Sequence, residues 1–144
     1  MAQLIDRLLP APDRPVAHSA SSRFLALCGL LAVIPGSIHV FLPDGGAGVI
    51  AGIDLASDGA RVIGVFAWAG ATQIAWGLMM LTVALRYRAL VPLALLLLLL
   101  ERTLHALNFW VLKPGTHHPP ESYAVLIALP IIALFLMLAV KRRG

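Results

Sequence analysis

Four long stretches of this chain carry almost no charge and are separated by shorter polar breaks. They cover residues 24–42, 62–85, 89–112 and 123–140. Each is roughly 17 to 24 residues, which at ~1.5 Å per residue crosses a ~30 Å hydrocarbon layer with modest tilt. No run alternates apolar and polar positions as a half-buried strand would, and isolated strands could not satisfy their backbone groups in lipid, so a membrane β-barrel is excluded. The pattern therefore predicts an all-α fold, an integral membrane four-helix bundle. Residues 1–22 form a polar N-terminal tail and residues 23–144 a single domain. Pro35-Gly36 in the first segment and Pro130 in the fourth predict bends.

Helices in lipid gain little from burying leucine, because acyl chains are equally apolar; small residues that let backbones approach mark the contacts. Gly29, Ala32, Gly36 and His39 share one face of the first helix, and Gly70, Gln73 and Gly77 do the same on the second. A second stripe, Gly64, Ala67, Ala71 and Ala75, predicts that the second helix is central. The leucine run 95–100 of the third is expected to face lipid.

Composition agrees with this picture. Of 144 residues, 60% are hydrophobic and 12% charged, against the roughly 45–50% apolar content of soluble domains. The single Cys28 lies in the first apolar segment and forms no intrachain disulfide. A formal net charge of +4 invites a nucleic-acid reading, but the basic residues flank the apolar segments instead of forming one patch. No nucleic-acid partner is expected. Arg7, Arg14 and Arg23 precede the first helix, Arg86 and Arg88 link the second to the third, and Lys141, Arg142 and Arg143 follow the fourth. The opposite side carries only Arg61 and Lys113, so the positive-inside rule places both termini of this multi-pass protein in the cytoplasm, and the expected location is the cell inner (plasma) membrane. The N-terminal stretch reads as a retained tail, with Leu4, Ile5, Leu8 and Leu9 as an apolar cluster suited to the bilayer surface.

The two connections on the other side differ from the tight basic link. Residues 43–61 hold Asp44-Gly45-Gly46-Ala47-Gly48, a turn-rich stretch and not a phosphate loop, since no Lys-Ser or Lys-Thr follows. Residues 113–122 hold Pro114-Gly115, His117-His118 and Pro119-Pro120.

Chemistry concentrates on the third helix. A charge at the bilayer centre costs ~2.5–3.5 kcal/mol, so Glu101 and Arg102 are expected to turn into the bundle. Helical geometry puts Glu101, His105 and Asn108 on one face with Arg102 on its flank. Counting rise per residue from the outer ends, Glu101 lies ~15 Å deep, His105 ~10 Å, His39 ~5 Å, Trp68 ~10 Å, and Thr72 and Gln73 ~15 Å. The matching levels predict one outward-opening polar pocket. Its ligand-binding residues are His39, Trp68, Thr72, Gln73, Trp76, Arg102 and Asn108, with Ser37 beside them, and Glu101 and His105 are the catalytic pair if the protein is an enzyme. Three readings stay open: an ion pair Glu101-Arg102 that fixes helix register with no ligand; metal or haem ligation by Glu101, His105 and His39, opposed by the guanidinium beside them; and a pocket for an organic molecule, with Arg102 holding a carbonyl or anion and His105 or Glu101 moving a proton. No metal centre is assigned, and no cofactor is named.

The plan of the chain resembles the DoxX-like group of small bacterial four-helix membrane proteins. The likeness rests on the turn Phe41-Leu42-Pro43, Arg61 before the second helix, Gly64, Gly70 and Gly77 within it, the basic link Arg86 and Arg88, and a polar break late in the third helix, and it covers residues 24–140. It implies an accessory protein accompanying membrane oxidoreductases or quinone-linked systems. Glu101-Arg102 and His105 match no motif of that group, so no site residue is carried over. The expected function is an accessory or ligand-binding subunit whose pocket takes a lipophilic molecule, a quinone or a lipid, with membrane lipid, a membrane oxidoreductase or a second copy of the chain as partners. The rival is a membrane enzyme of isomerase or oxidoreductase type.

Overall fold

The computed structural model describes residues 18–114 and 118–140. Among them the chain is all-helical, and four helices are long and apolar enough to cross a membrane. The helices are α1 (Ser19–Phe41), α2 (Gly59–Leu85), α3 (Val91–Leu107) and α4 (Pro120–Val140). A 3-10 turn, Arg88–Leu90, leads into α3, and a π-helical turn, Asn108–Leu112, extends it. The tail cluster Leu4, Ile5, Leu8 and Leu9, the basic residues Arg7, Arg14, Lys141, Arg142 and Arg143, and His117 lie outside the described residues.

α1 starts five residues before the apolar run that announced it. His18 caps it, its Nδ1 accepting from the Ala20 amide at 3.2 Å. In the first turn Ser21 is fully buried and its Oγ donates to the Phe135 carbonyl of α4 at 2.9 Å, whereas the buried Ser22 Oγ has no hydrogen-bond partner among the described residues. Both inner prolines are accommodated, since α1 continues through Pro35 and α4 through Pro130.

The glycine faces meet as expected. A Cβ on Gly29 would lie 2.8 Å from the Gly77 carbonyl oxygen, and one on Gly36 would lie 2.8 Å from that of Gly70. The reciprocal approaches, from Gly77 to Gly29 and from Gly70 to Gly36, are 2.7 Å each. Two glycine pairs seven residues apart on each helix thus draw α1 and α2 into backbone contact, the closest packing in the bundle.

Two packing expectations are corrected. α2 is not central: it packs along α1, and α3 packs with α4, so the bundle is two hairpins joined by the Arg86–Leu90 link. Nor does the leucine run of α3 simply face outward. Val91, Ala94, Leu95 and Leu98 are buried at the centre of the core, whereas Leu96, Leu97 and Leu100 are exposed. A run of identical side chains has no periodicity to reveal its inner face, and the packing partners decide it. Met80, Val83 and Ala84 of α2, Leu25 and Ala32 of α1, and Ile132 and Ala139 of α4 complete that core.

Two ends of the bundle can be distinguished. One carries the start of α1, the end of α4 and the α2–α3 link. The other carries the two longer connections. At this loop end Asp44 organises the first connection: its carboxylate accepts from the Gly46 and Val49 amides, both at 2.9 Å. Gly45 and Gly46 adopt φ of 61° and 74°, a left-handed conformation that side chains with a Cβ rarely take.

Candidate functional site

Arg102 is the centre of a small ionic cluster on α3 and α4. Its Nε lies 2.9 Å from Glu101 Oε2, a contact between successive residues whose angle makes no hydrogen bond. Its Nη1 donates to Glu121 Oε1 of α4 at 3.2 Å. His105 Nδ1 stands 3.4 Å from Glu101 Oε1 and 3.9 Å from Glu121 Oε1. The Glu101–Arg102 contact joins neighbours on α3, and the carboxylate that Arg102 meets from another helix is Glu121 at the start of α4. Two carboxylates face one guanidinium. With His105 neutral the group carries one negative charge, and with His105 protonated it is neutral.

Glu121 was legible only as a loop residue, because residues 113–122 read as a connection. In the structure α4 begins at Pro120, and Trp110 Nε1 donates to the Ser122 carbonyl at 3.1 Å, which holds the start of α4 against the end of α3. His118 stacks on Trp110 at 4.5 Å between centroids. The tip of α3 thus projects past the start of α4, and Arg102, ~15 Å short of that tip by helical rise, meets the first turn of its neighbour.

Below the cluster lies a cavity of about 480 Å³, in the usual range for small-molecule sites. Its inner wall is made of buried side chains: Ala32 of α1, Met80 of α2, Leu98 of α3, and Val125 and Ile132 of α4. Its mouth is made of exposed ones, Leu27 and Leu31 on α1 and Ala124, Ile127 and Ile131 on α4. The cavity is therefore a lateral cleft between α1 and α4. Arg102 and Ala124 stand at its loop end and Phe24 at the other, where Phe24 and Phe135 stack at 4.1 Å and the Ser21–Phe135 hydrogen bond pins the two helices together. Arg102 is the one charged residue on the wall, and Cys28 also lines it.

The remaining residues of the expected pocket are dispersed. His39 Nδ1 is 2.6 Å from the Gly45 carbonyl, so this nitrogen carries the proton and donates, and the ring meets Phe66 edge-on at 5.1 Å. It ties the first connection to α1 and does not approach Glu101 or His105 as a third ligand. Ser37 Oγ donates to Val33 O, Thr72 Oγ1 to Trp68 O and Asn108 Nδ2 to Leu104 O, each within its own helix. Trp68 is 75% exposed. Gln73 Oε1 and Trp76 Nε1 are buried polar atoms without a hydrogen-bond partner among the described residues, as is His105 Nδ1. Trp76 packs against the core cluster. Among the described residues no three His, Cys, Asp or Glu side chains are grouped to hold a metal ion.

The aliphatic residues of the cleft carry no chemical signature, and no pattern in the sequence pairs α1 with α4. Only the presence of Arg102 linked the expected pocket to the observed one. No protein-family model, no curated protein and no solved structure matches this chain.

Proposed function

We propose that the protein is a multi-pass inner-membrane protein, with both termini cytoplasmic, that binds a lipophilic molecule such as a quinone or lipid in the cleft between α1 and α4. The apolar exterior supports the membrane setting: Leu31, Ile34, Val65, Trp68, Ile127 and Met137 are among many large apolar side chains exposed on it, a surface that a water-soluble monomer rarely presents. The basic residues around the termini and the α2–α3 link support the orientation. The single observation that carries the binding role is the lateral mouth. A cleft that opens sideways between two apolar helices receives its guest from the bilayer, with no passage through water, and presents it with one polar wall residue, Arg102.

The cleft suits an accessory or ligand-binding subunit of a membrane oxidoreductase, the role that the DoxX-like resemblance implies. Catalysis by Glu101 and His105 is the second reading, favoured by their 3.4 Å approach. Solvent extraction of the gently purified protein, followed by mass spectrometry, tests the binding role. A lipophile is expected to co-purify with the wild type and to be lost from Ala124→Trp, which plugs the exposed mouth without entering the core. Equal retention in both, or none in either, would overturn the cleft as a binding site.

A further inference from the structure

We propose that the guest of this cleft is an uncharged lipophile whose polar end is a hydrogen-bond-accepting oxygen of the carbonyl type, and that anionic lipids and fatty acids are excluded. This rests on the cleft being a ligand site and specifies its chemistry.

A lone arginine on an apolar wall would ordinarily select an anion, because an uncompensated guanidinium in a low-dielectric setting attracts negative charge strongly. Arg102 is not alone. Glu101 approaches its Nε at 2.9 Å and Glu121 accepts from its Nη1 at 3.2 Å, so the local charge is already negative by one before any guest arrives. Protonation of His105, within 3.4 and 3.9 Å of the same carboxylates, brings the group to zero and not beyond. A carboxylate or phosphate entering the cleft would add a negative charge to a neutral or negative cluster. A cationic headgroup finds no acceptor on the wall: an ammonium offers only N–H donors, as the guanidinium does, and neither Glu101 nor Glu121 lines the cavity. A guanidinium carries five N–H donors, more than the two carboxylate contacts of Arg102 use, so donors remain for a neutral acceptor. A carbonyl oxygen accepts such a bond without altering the charge balance, while its hydrocarbon part lies against Leu27, Leu31, Ile127 and Ile131.

The test uses the full chain in phosphatidylcholine nanodiscs and three photoreactive diazirine probes with the same alkyl chain, ending in a methyl ketone, a carboxylate or an ammonium. Cross-linked residues are mapped by mass spectrometry as a function of probe concentration. The ketone is expected to label α1 and α4 along the cleft at concentrations roughly a hundredfold below the carboxylate probe, the ratio given by the cluster's one net negative charge, with His105 neutral, at ~6 Å and an effective dielectric constant of ~20, and below the ammonium probe, which offers the guanidinium no acceptor. Glu121→Gln removes one compensating charge at the exposed start of α4 and is expected to shrink the ketone-to-carboxylate ratio at least tenfold. Capture of the carboxylate or ammonium at the cleft as efficiently as the ketone would overturn this inference and leave the binding role standing. A ratio unmoved by Glu121→Gln, in protein that still elutes as folded material, would overturn charge compensation as its cause. No capture at the cleft by any probe would overturn the binding role itself.

Discussion

Replacing glycine by alanine at Gly77 and at Gly64, both within α2, should move stability in opposite directions. In a helix interior the change gains ~0.8–1.0 kcal/mol of helix propensity at either site. At Gly64 nothing lies within 4 Å of the added Cβ, so the gain is realised in full. At Gly77 the Cβ would stand 2.7 Å from the Gly29 carbonyl oxygen, 2.6 Å from Val33 Cγ2 and 3.0 Å from the Val33 amide nitrogen. The backbone contacts cannot be relieved by a rotamer change, so the helices must separate by several tenths of an ångström. Overpacking of that kind costs ~1–3 kcal/mol, and loosened contacts along the seam forfeit part of their dispersion energy. Gly77→Ala should therefore lose about 1 kcal/mol net while Gly64→Ala gains about as much. The difference between the two variants, about 2 kcal/mol, is the informative quantity, because propensity cancels from it. Reversible unfolding in mild detergent, followed by tryptophan fluorescence and circular dichroism, measures it. Adding Gly29→Ala to Gly77→Ala should cost less than the first change, since the helices have already parted at that level. Equal shifts of the same sign at Gly64 and Gly77 would refute the close approach of α1 and α2.

Three further outcomes follow from the polar groups. Arg102→Leu removes the only cation from between two carboxylates and should destabilise by about 2–4 kcal/mol, whereas Arg102→Leu combined with Glu121→Gln should recover part of that loss; the same unfolding assay reads both, and additive losses would contradict the pairing across α3 and α4. By the same logic Glu101→Leu should cost more than Glu101→Leu with Arg102→Leu, although Glu121 softens the difference by remaining as a partner. The amides of Val49 and Gly46 hold the Asp44 carboxyl below the usual carboxylate range. A depressed value in the folded state means that the stabilisation is fully present above the unfolded-state pKa of ~4 and fades as pH falls through the lower folded value. Hydrogen exchange at the Gly46 and Val49 amides should accordingly stay protected from pH 7 to about 5 and weaken in strong acid relative to Asp44→Asn; identical profiles in the two proteins would rule out this role for Asp44.

The helices were legible because each is a long, mostly apolar run, and the α1–α2 seam was legible because glycine is the residue that permits backbone contact. Where the sequence misled, the signal was absent or local rules were overridden. Ser19 to Ser22 read as tail, yet they open α1, with Ser21 finding its acceptor on α4, a partner 114 positions away. The leucines of α3 concealed which face is buried. The depth count aligned Trp68, Thr72 and Gln73 with Glu101 and His105, but equal depth does not bring helices together, and α2 turned to α1 while α3 turned to α4. Glu121 was hidden by the prolines before it, which suggested a loop where Pro120 instead begins a helix, a position that suits its fixed φ and missing N–H.

The ionic cluster and the cleft are best understood as one device. An arginine in a membrane-spanning helix carries an insertion cost of ~2.5–3.5 kcal/mol unless carboxylates neutralise it. Glu101 and Glu121 do so, and Glu121 ties α3 to α4 in the process. The same neutralisation changes what Arg102 offers to the cleft: its donors remain, but its net attraction for anions is spent on the protein itself. On the proposed reading, the Glu121 link between α3 and α4 and the selection of an uncharged guest share one cause, the neutralisation of Arg102. A variant that lets this fold hold an anionic lipid must give up one of them, and with Glu121 it would also give up the link between the two helices that frame the polar end of the cavity.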